Sequence, residues 1–394
     1  MRRFGGAICG LALAALPAFW AAAWAADASG HGLQPYQMVR SLQLVQDRIA
    51  GGDHAALPMQ NKLLELIDFR FLNADNNEFA ERRNFDALMI YAMSGGNPAT
   101  VAARLEGLSL DEADTAAITG VLNYLTGDVA GARDAMATIR HWDYPQEVAA
   151  FLALVKGSVV ANDDARAGMA TLDRARLFAP GTLVEEAALR RTLSLAVTAG
   201  DAERFMQASE QYARRFLRSP YAAQFAETFV SGVTALRNDL VLGRVEETVS
   251  WMTQEQAQTV YLRLARRAAI DGDTKLLSFA SQQAAGQGMQ TSAADPRRKL
   301  YSSISSVTSE AVEDVLTQLT GLDASQLSTA DRVLLEAARM VANEVIAPAG
   351  LPSNPSTIVT AAGAETTATE IDPRILATRS RLAEIDRMLE ESEP

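Results

Sequence analysis

Residues 122–133 read LNYLTGDVAGAR, and this stretch indicates how the chain folds. An apolar run ends at Gly127, and Asp128 begins a second run that is rich in alanine. Glycine readily adopts the left-handed conformation found just past a helix, and an aspartate side chain caps the start of the next helix. The stretch therefore predicts two helices joined by a tight turn.

The same punctuation recurs along the chain at a nearly constant distance. Residues 192–201 read TLSLAVTAGD, in which Gly200 and Asp201 repeat the pattern. Pairs of Gly or Asn followed by Asp begin at positions 127, 162, 200, 238 and 272, so that successive pairs lie 35, 38, 38 and 34 residues apart. This period is typical of a two-helix repeat of roughly 34–40 residues.

The long middle of the chain shows helical periodicity and almost no strand pattern. Apolar residues recur at steps of four, three and four in the series Met38, Leu42, Val45 and Ile49. Amphipathic hairpins cannot bury their apolar faces alone, so neighbouring hairpins stack. We therefore expect an all-α fold in which tetratricopeptide-like helical hairpins form an α-solenoid over residues 27–346. An all-helical bundle with coincidental spacing is the alternative.

Residues 1–26 have the features of a secretory signal peptide. A pair of arginines precedes an apolar run over residues 7–20, and small residues between Ala25 and Ala28 offer cleavage sites. We expect a mature protein in the periplasm, with an uncleaved anchor as the alternative. Cleavage also removes Cys9, the single cysteine, which suits an oxidising compartment. No other stretch is long and apolar enough to span a bilayer.

The C-terminal end is predicted to contain a linker and a further helix. Residues 347–370 are rich in Ala, Thr and Pro, a composition typical of a flexible linker. Residues 371–394 are predicted to hold an amphipathic helix, whose apolar stripe consists of Ile375, Leu382, Ile385, Met388 and Leu389. Three roles are open for this helix: folding back onto the body, binding a partner, and pairing with a copy of itself.

The composition argues against several classes of function. A net charge of -12 disfavours nucleic acid as a partner, because phosphate binding needs clustered Lys and Arg. The three histidines, His31, His54 and His141, lie far apart, and no phosphate-binding loop or nucleophile–base arrangement is found. We therefore expect no cofactor, no metal and no enzymatic activity. A cleft Glu with a raised pKa would instead favour a cell-wall lytic enzyme.

Two segments carry a resemblance to a known family. Residues 33–47 read LQPYQMVRSLQLVQD, followed by GDHAA at 52–56, and residues 86–99 read DALMIYAMSGGNPA. With the signal peptide, helical body, linker and closing helix, the chain resembles the motility protein C family (MotC) of rhizobia and related alphaproteobacteria. The resemblance implies a non-enzymatic periplasmic protein that is required for flagellar rotation and acts on the periplasmic part of the stator protein MotB. A generic periplasmic scaffold for envelope assembly or secretion is the alternative.

The same two segments supply the candidate partner-binding residues, although the resemblance itself assigns none. They are Pro35, Tyr36, Arg40, Arg48, Tyr91, Met93 and Asn97. The structural alternative for the first segment is an N-terminal cap. For the second segment it is a helix-to-helix turn, in which Asn97 caps the next helix and Pro98 occupies its first position.

Overall fold

The computed structural model describes residues 33–286, 295–306 and 312–346, and within these ranges the chain is helical and contains no strand. The predicted signal peptide, linker and C-terminal helix lie outside the described residues. The described part confirms an all-α fold. It divides into two compact units: the first comprises residues up to Arg48 and Ala55–Val155, and the second comprises Ile49–His54 and the chain from Lys156 onward.

The first unit contains helices of short to medium length: α1 (Pro35–Ala50), α2 (Ala56–Leu72), α3 (Arg82–Met93), α4 (Pro98–Leu105), α5 (Glu112–Thr126) and α6 (Val129–Met136). Helix α2 packs against α3 and α4, α3 packs against α5, and α5 packs against α6. The core of this unit includes Leu42, Ile67, Phe71, Leu88 and Tyr91.

The chain then passes through α7 (Gln146–Val160), where the first unit ends, into a series of paired helices: α8 (Ala165–Phe178), α9 (Leu183–Ala199), α10 (Ala202–Arg215), α11 (Ala222–Ala235), α12 (Leu242–Val249), α13 (Gln254–Asp271), α14 (Thr274–Gly286), α15 (Pro296–Ser305), α16 (Val312–Thr320) and α17 (Thr329–Ile346). Helix α9 packs against both α8 and α10. Helix α9 also contacts α11, α11 contacts α13, and α10 contacts α12.

The predicted Gly–Asp turns are confirmed at three places. Gly127, Gly200 and Gly272 adopt left-handed φ values of 86°, 66° and 70°. In each case the following aspartate caps the next helix; the carboxylate of Asp201, for example, accepts a hydrogen bond of 3.0 Å from the backbone N–H of Arg204. Local sequence therefore sets these turns without help from distant residues.

The other two predicted turns differ. The cap of α8 is Asp164, which accepts from the N–H groups of Arg166 and Ala167, so the cap lies beyond the predicted Asn–Asp pair. Helix α12 follows Val241, and no side chain caps it. The pair at 238–239 lies in a turn, as predicted, but the chain continues for two more residues before the next helix begins.

The second unit is packed around aromatic rings. Tyr212 stacks on Phe225 with ring centroids 4.2 Å apart, and Phe205 stacks on Phe229 at 6.0 Å. Helix α11 packs against α9, and the ring of Phe205 from α10 lies against Gly232 of α11. A Cβ at this position would lie 2.3 Å from the ring of Phe205. The packing of this ring against α11 therefore requires glycine here.

Candidate protein-binding face on the second helix

Helix α2 has an unusual distribution of apolar residues. Its sequence, ALPMQNKLLELIDFRFL, has apolar residues on every side, and such a helix is normally buried. Only Ala56, Ile67 and Phe71 of α2 are buried. Four large apolar side chains of α2 are therefore left in contact with solvent.

The exposed residues lie on one side of the helix. They are Met59, Leu66, Phe69 and Leu72, with exposed fractions of 46%, 46%, 69% and 47%, and we call them the α2 face. At about 100° per residue they fall within an arc of about 140°. No other helix in the described ranges presents as many large apolar side chains to solvent. Exposed apolar surface of this kind marks sites where proteins bind one another, and the exposed Lys62 and Glu65 fall within the same arc.

Polar residues of α2 anchor the helix to the first unit. The guanidinium group of Arg70 donates to the carbonyl of Leu33 at 3.0 Å and to the carboxylate of Glu78. Asp68 accepts a hydrogen bond of 2.6 Å from the hydroxyl of Tyr91. Phe69 lies between these two anchors in sequence and is nonetheless exposed. The backbone beneath the α2 face is therefore held firmly on both sides of Phe69.

The first predicted segment packs onto α3. Pro35 is buried, and the backbone N–H of Tyr36 donates to the side-chain oxygen of Asn84 at 3.2 Å. The ring of Tyr36 lies 5.5 Å from the guanidinium carbon of Arg83. These contacts agree with the alternative in which the start of α1 serves as an N-terminal cap of the helical body. Arg40 and Arg48, further along α1, are exposed.

The second predicted segment forms the turn between α3 and α4. The predicted arrangement is confirmed: the side chain of Asn97 caps α4 by accepting from the N–H of Ala99, and Pro98 is the first residue of the helix. Tyr91 is 1% exposed, and its hydroxyl also accepts from the N–H of Asn97 at 3.0 Å. Tyr91 therefore holds the turn from inside and does not reach a partner, while Met93 is half-buried.

None of the residues predicted from sequence to bind a partner lies in α2. The sequence did contain a sign of this surface, because residues 56–72 hold more apolar side chains than a helix with one buried side needs. Of the seven residues predicted to bind a partner, the structure connects Tyr91 to α2 through Asp68.

Buried carboxylates in the second unit are engaged in structural contacts. Glu186 is fully buried and accepts hydrogen bonds from the hydroxyl of Tyr212 at 2.7 Å and from Nε of Arg190 at 2.9 Å. Asp331 accepts from the hydroxyl of Tyr301 at 2.7 Å. Burial, aided by the neighbouring carboxylate, raises the pKa of both tyrosines. These pairs join neighbouring helices.

The second unit also contains a small cleft. It measures about 240 Å³, lies among α8, α9 and α10, and contains neither Glu nor His. Its carboxylate, Asp173, accepts hydrogen bonds from Arg176 and Arg204. In the part of the chain that the structure describes, no cluster of three or more His, Cys, Asp or Glu side chains is arranged to hold a metal. Within the same ranges no helix is both long and apolar enough to cross a membrane.

Comparison with known proteins agrees with the resemblance seen in the two sequence segments. The family model described as chemotaxis protein MotC matches residues 2–394. The chemotaxis protein MotC of Rhizobium meliloti strain 1021 is 38% identical over 317 residues, which cover 80% of this chain and 73% of that protein. No solved structure matches. The family match spans nearly the whole chain, and the chain therefore belongs to the chemotaxis protein MotC family.

Proposed function

We propose that this protein is required for rotation of the flagellar motor, and that it acts from the periplasm by binding the periplasmic part of the stator protein MotB. Membership of the chemotaxis protein MotC family supports the motility role. In this proposal residues 1–26 are removed as a signal peptide, and the protein has no catalytic step. Its action is binding, and the α2 face is the surface that makes the contact.

The observation that carries the proposal is the exposed apolar surface of α2. Burying a Leu or Phe side chain contributes about 1.5–3 kcal/mol relative to leaving it exposed, so a partner that covers the α2 face gains several such contributions. Lys62 and Glu65 are exposed on the same helix and form an ion pair of 2.7 Å. An apolar centre beside exposed charges is the usual composition of a protein interface.

We also propose that the helices of the second unit are tetratricopeptide-like hairpins. The left-handed glycines at 200 and 272 and the aspartate caps that follow them support this. So does the packing of α9 against α11 and of α11 against α13, because repeat hairpins contact their next equivalents. In this arrangement the helical pairs serve as the support from which a binding surface is presented.

Rotation in a deletion strain tests the proposal. The strain is complemented with wild-type protein, with the double variant Leu66→Ser and Phe69→Ser, and with the control variant Leu177→Ser and Val241→Ser. The control residues are 78% and 67% exposed and belong to the second unit, so both variants replace two exposed apolar residues. Immunoblots check protein amounts, and microscopy checks filaments.

We expect the α2 variant to give intact filaments that do not turn in tethered cells, and the control to restore rotation. Purified wild-type and control proteins should capture the periplasmic domain of MotB, whereas the α2 variant should not. Normal rotation of the α2 variant would exclude the α2 face as the contact. Growth or envelope defects with normal rotation in the deletion strain would favour a general envelope scaffold instead.

A further inference from the structure

Helix α17, the last described helix, is apolar on two sides. Its sequence is TADRVLLEAARMVANEVI. One side is buried against the second unit through Leu335, Ala338 and Ala342, which are at most 6% exposed. The polar residues Arg332, Glu336 and Asn343 lie on another side and are exposed. A helix at the end of a unit needs only one buried stripe, so a second apolar side calls for an occupant.

The second apolar side extends along most of α17, with the exposed Glu344 among its residues. It consists of Val333, Ala337, Met340, Val341 and Val345, a spacing that places all five on one side of a helix. Met340, Val341 and Val345 are 48%, 43% and 48% exposed, and we call them the outer face of α17. This surface forms one patch close to the point where the described chain ends.

The chain beyond the described residues contains a complementary segment. Residues 347–394 follow directly after the last residue of α17. Within them, Ile375, Leu382, Ile385 and Leu389 recur at steps of seven, three and four, the spacing of one apolar stripe. The second apolar side of α17, residues 333–345, and this stripe, residues 375–389, are similar in length, since each corresponds to about four turns of helix.

The connecting chain has a length that favours contact within one molecule. Residues 347–371 would span about 27 Å as a flexible coil, and α17, with 18 residues, is about 27 Å long. A tether that matches the distance between two sites gives an effective concentration in the millimolar range. Pairing between two copies lacks this advantage. Three partly exposed side chains also offer far less than the roughly 800 Å² per partner of a standard interface.

We propose that residues 372–391 bind the outer face of α17 in the same molecule and close the end of the second unit. The segment covers Met340, Val341 and Val345 with its apolar stripe. This site does not involve the α2 face, so it stands independently of the motility role proposed above.

Disulfide trapping tests the contact in the full-length chain. Cys9, the single cysteine, is replaced by serine, and the pair Val341→Cys and Leu382→Cys is introduced. The matched control pairs Asn343→Cys with Leu382→Cys, because Asn343 is exposed on the polar side of the same helix. Under mild oxidation we expect the first pair to form an intramolecular bond at least about tenfold faster than the control. Equal rates, or dimers as the main product, would overturn the proposal.

Hydrogen exchange provides a second test without cysteines. Amide exchange over residues 338–346 is compared between the full chain, a chain ending at Ile346, and the full-length variant Leu382→Ser and Leu389→Ser. We expect both altered proteins to exchange faster over these residues, with unchanged exchange in α9 and α13 as the internal control for folding. Identical exchange over 338–346 in all three proteins would exclude docking of the segment.

Discussion

The hydroxyl of Tyr91 joins α2 to the turn that precedes α4. It donates to the carboxylate of Asp68 at 2.6 Å and accepts from the backbone N–H of Asn97 at 3.0 Å. Asp68 is the residue immediately before Phe69, the most exposed member of the α2 face. A buried tyrosine on α3 therefore fixes the backbone position from which the proposed contact residue extends.

Replacing Tyr91 with phenylalanine should destabilise the protein. The substitution removes a hydrogen bond to a charged group and leaves the N–H of Asn97 without its acceptor, a combination that costs about 1–3 kcal/mol. The unfolding midpoint in urea measures the change. Tyr124→Phe is the control, since no hydrogen bond among the described residues involves its hydroxyl, and it should shift the free energy of unfolding by at most about 0.5 kcal/mol. Equal midpoints for the two variants would contradict this role of Tyr91.

Substitution in the α2 face should weaken binding of a partner without lowering the stability of the protein. Phe69→Ser changes a side chain that is 69% exposed, so the free energy of unfolding should change by at most about 0.5 kcal/mol. Affinity for the MotB periplasmic domain, measured by calorimetry, should fall by about 2 kcal/mol or more if Phe69 is central to the contact. Phe71→Ala, two residues away and fully buried, should instead lose about 3–5 kcal/mol of stability. A strong loss of stability in Phe69→Ser would contradict its placement.

Two glycines on neighbouring helices should respond in opposite directions to alanine. In Gly232→Ala the new Cβ meets the ring of Phe205, and overpacking of this kind costs about 1–3 kcal/mol. In Gly243→Ala no atom lies within 4 Å of the new Cβ, so the lower entropy of the unfolded chain should stabilise the protein by about 0.4–1 kcal/mol. Urea unfolding of both variants checks the signs. Two shifts of the same sign would refute the packing argument.

Alkaline pH should destabilise the protein partly through Tyr261. Burial raises the pKa of Tyr261 to about 12, with a smaller contribution from the charge of Glu246. Its contribution to stability is complete below its unfolded pKa of about 10, because both states are then protonated. Between about pH 10 and 12 the unfolded state loses this proton first, and stability falls by about 1.4 kcal/mol per pH unit.

The variant Tyr261→Phe isolates this contribution, since no hydrogen bond to its hydroxyl is lost. The free energy of unfolding of the variant should decline less steeply than that of the wild-type protein over about pH 10–12. Urea unfolding at several pH values measures the two slopes. Parallel pH profiles would show that Tyr261 does not contribute.

The local turns and helix caps of the fold could be predicted from sequence, whereas the exposure of individual side chains to solvent could not. The turns at Gly127, Gly200 and Gly272 depend on residues a few positions apart, so the pattern alone identifies them. The cap formed by Asn97 is equally local. By contrast, burial in α2 depends on which helices cover it, and an apolar pattern gives no indication of that. The long-range contact of His54 with the carbonyl of Arg218, at 2.9 Å, has no signal in the sequence either.

The predicted site residues illustrate the same division. Tyr91 is predicted to bind a partner because it lies in the unusual segment 86–99. In the structure this segment forms the turn between α3 and α4, and Tyr91 stabilises that turn. Phe69 stands in an ordinary helical pattern, and only the packing of Ile67 and Phe71 beneath it shows which side of α2 remains open. A surface for a partner is thus defined by what the rest of the fold leaves uncovered.

The Gly–Asp turns also have a kinetic consequence. The turn at Gly200 is closed by a hydrogen bond of 2.8 Å from the N–H of Asp201 to the carbonyl of Ala196, and by the bond from Arg204 to the Asp201 carboxylate. Contacts between residues so close in sequence form early, because little loop-closure entropy opposes them. Neighbouring helices can therefore pair soon after they form. A newly made chain then spends little time with its apolar helices open to aggregation.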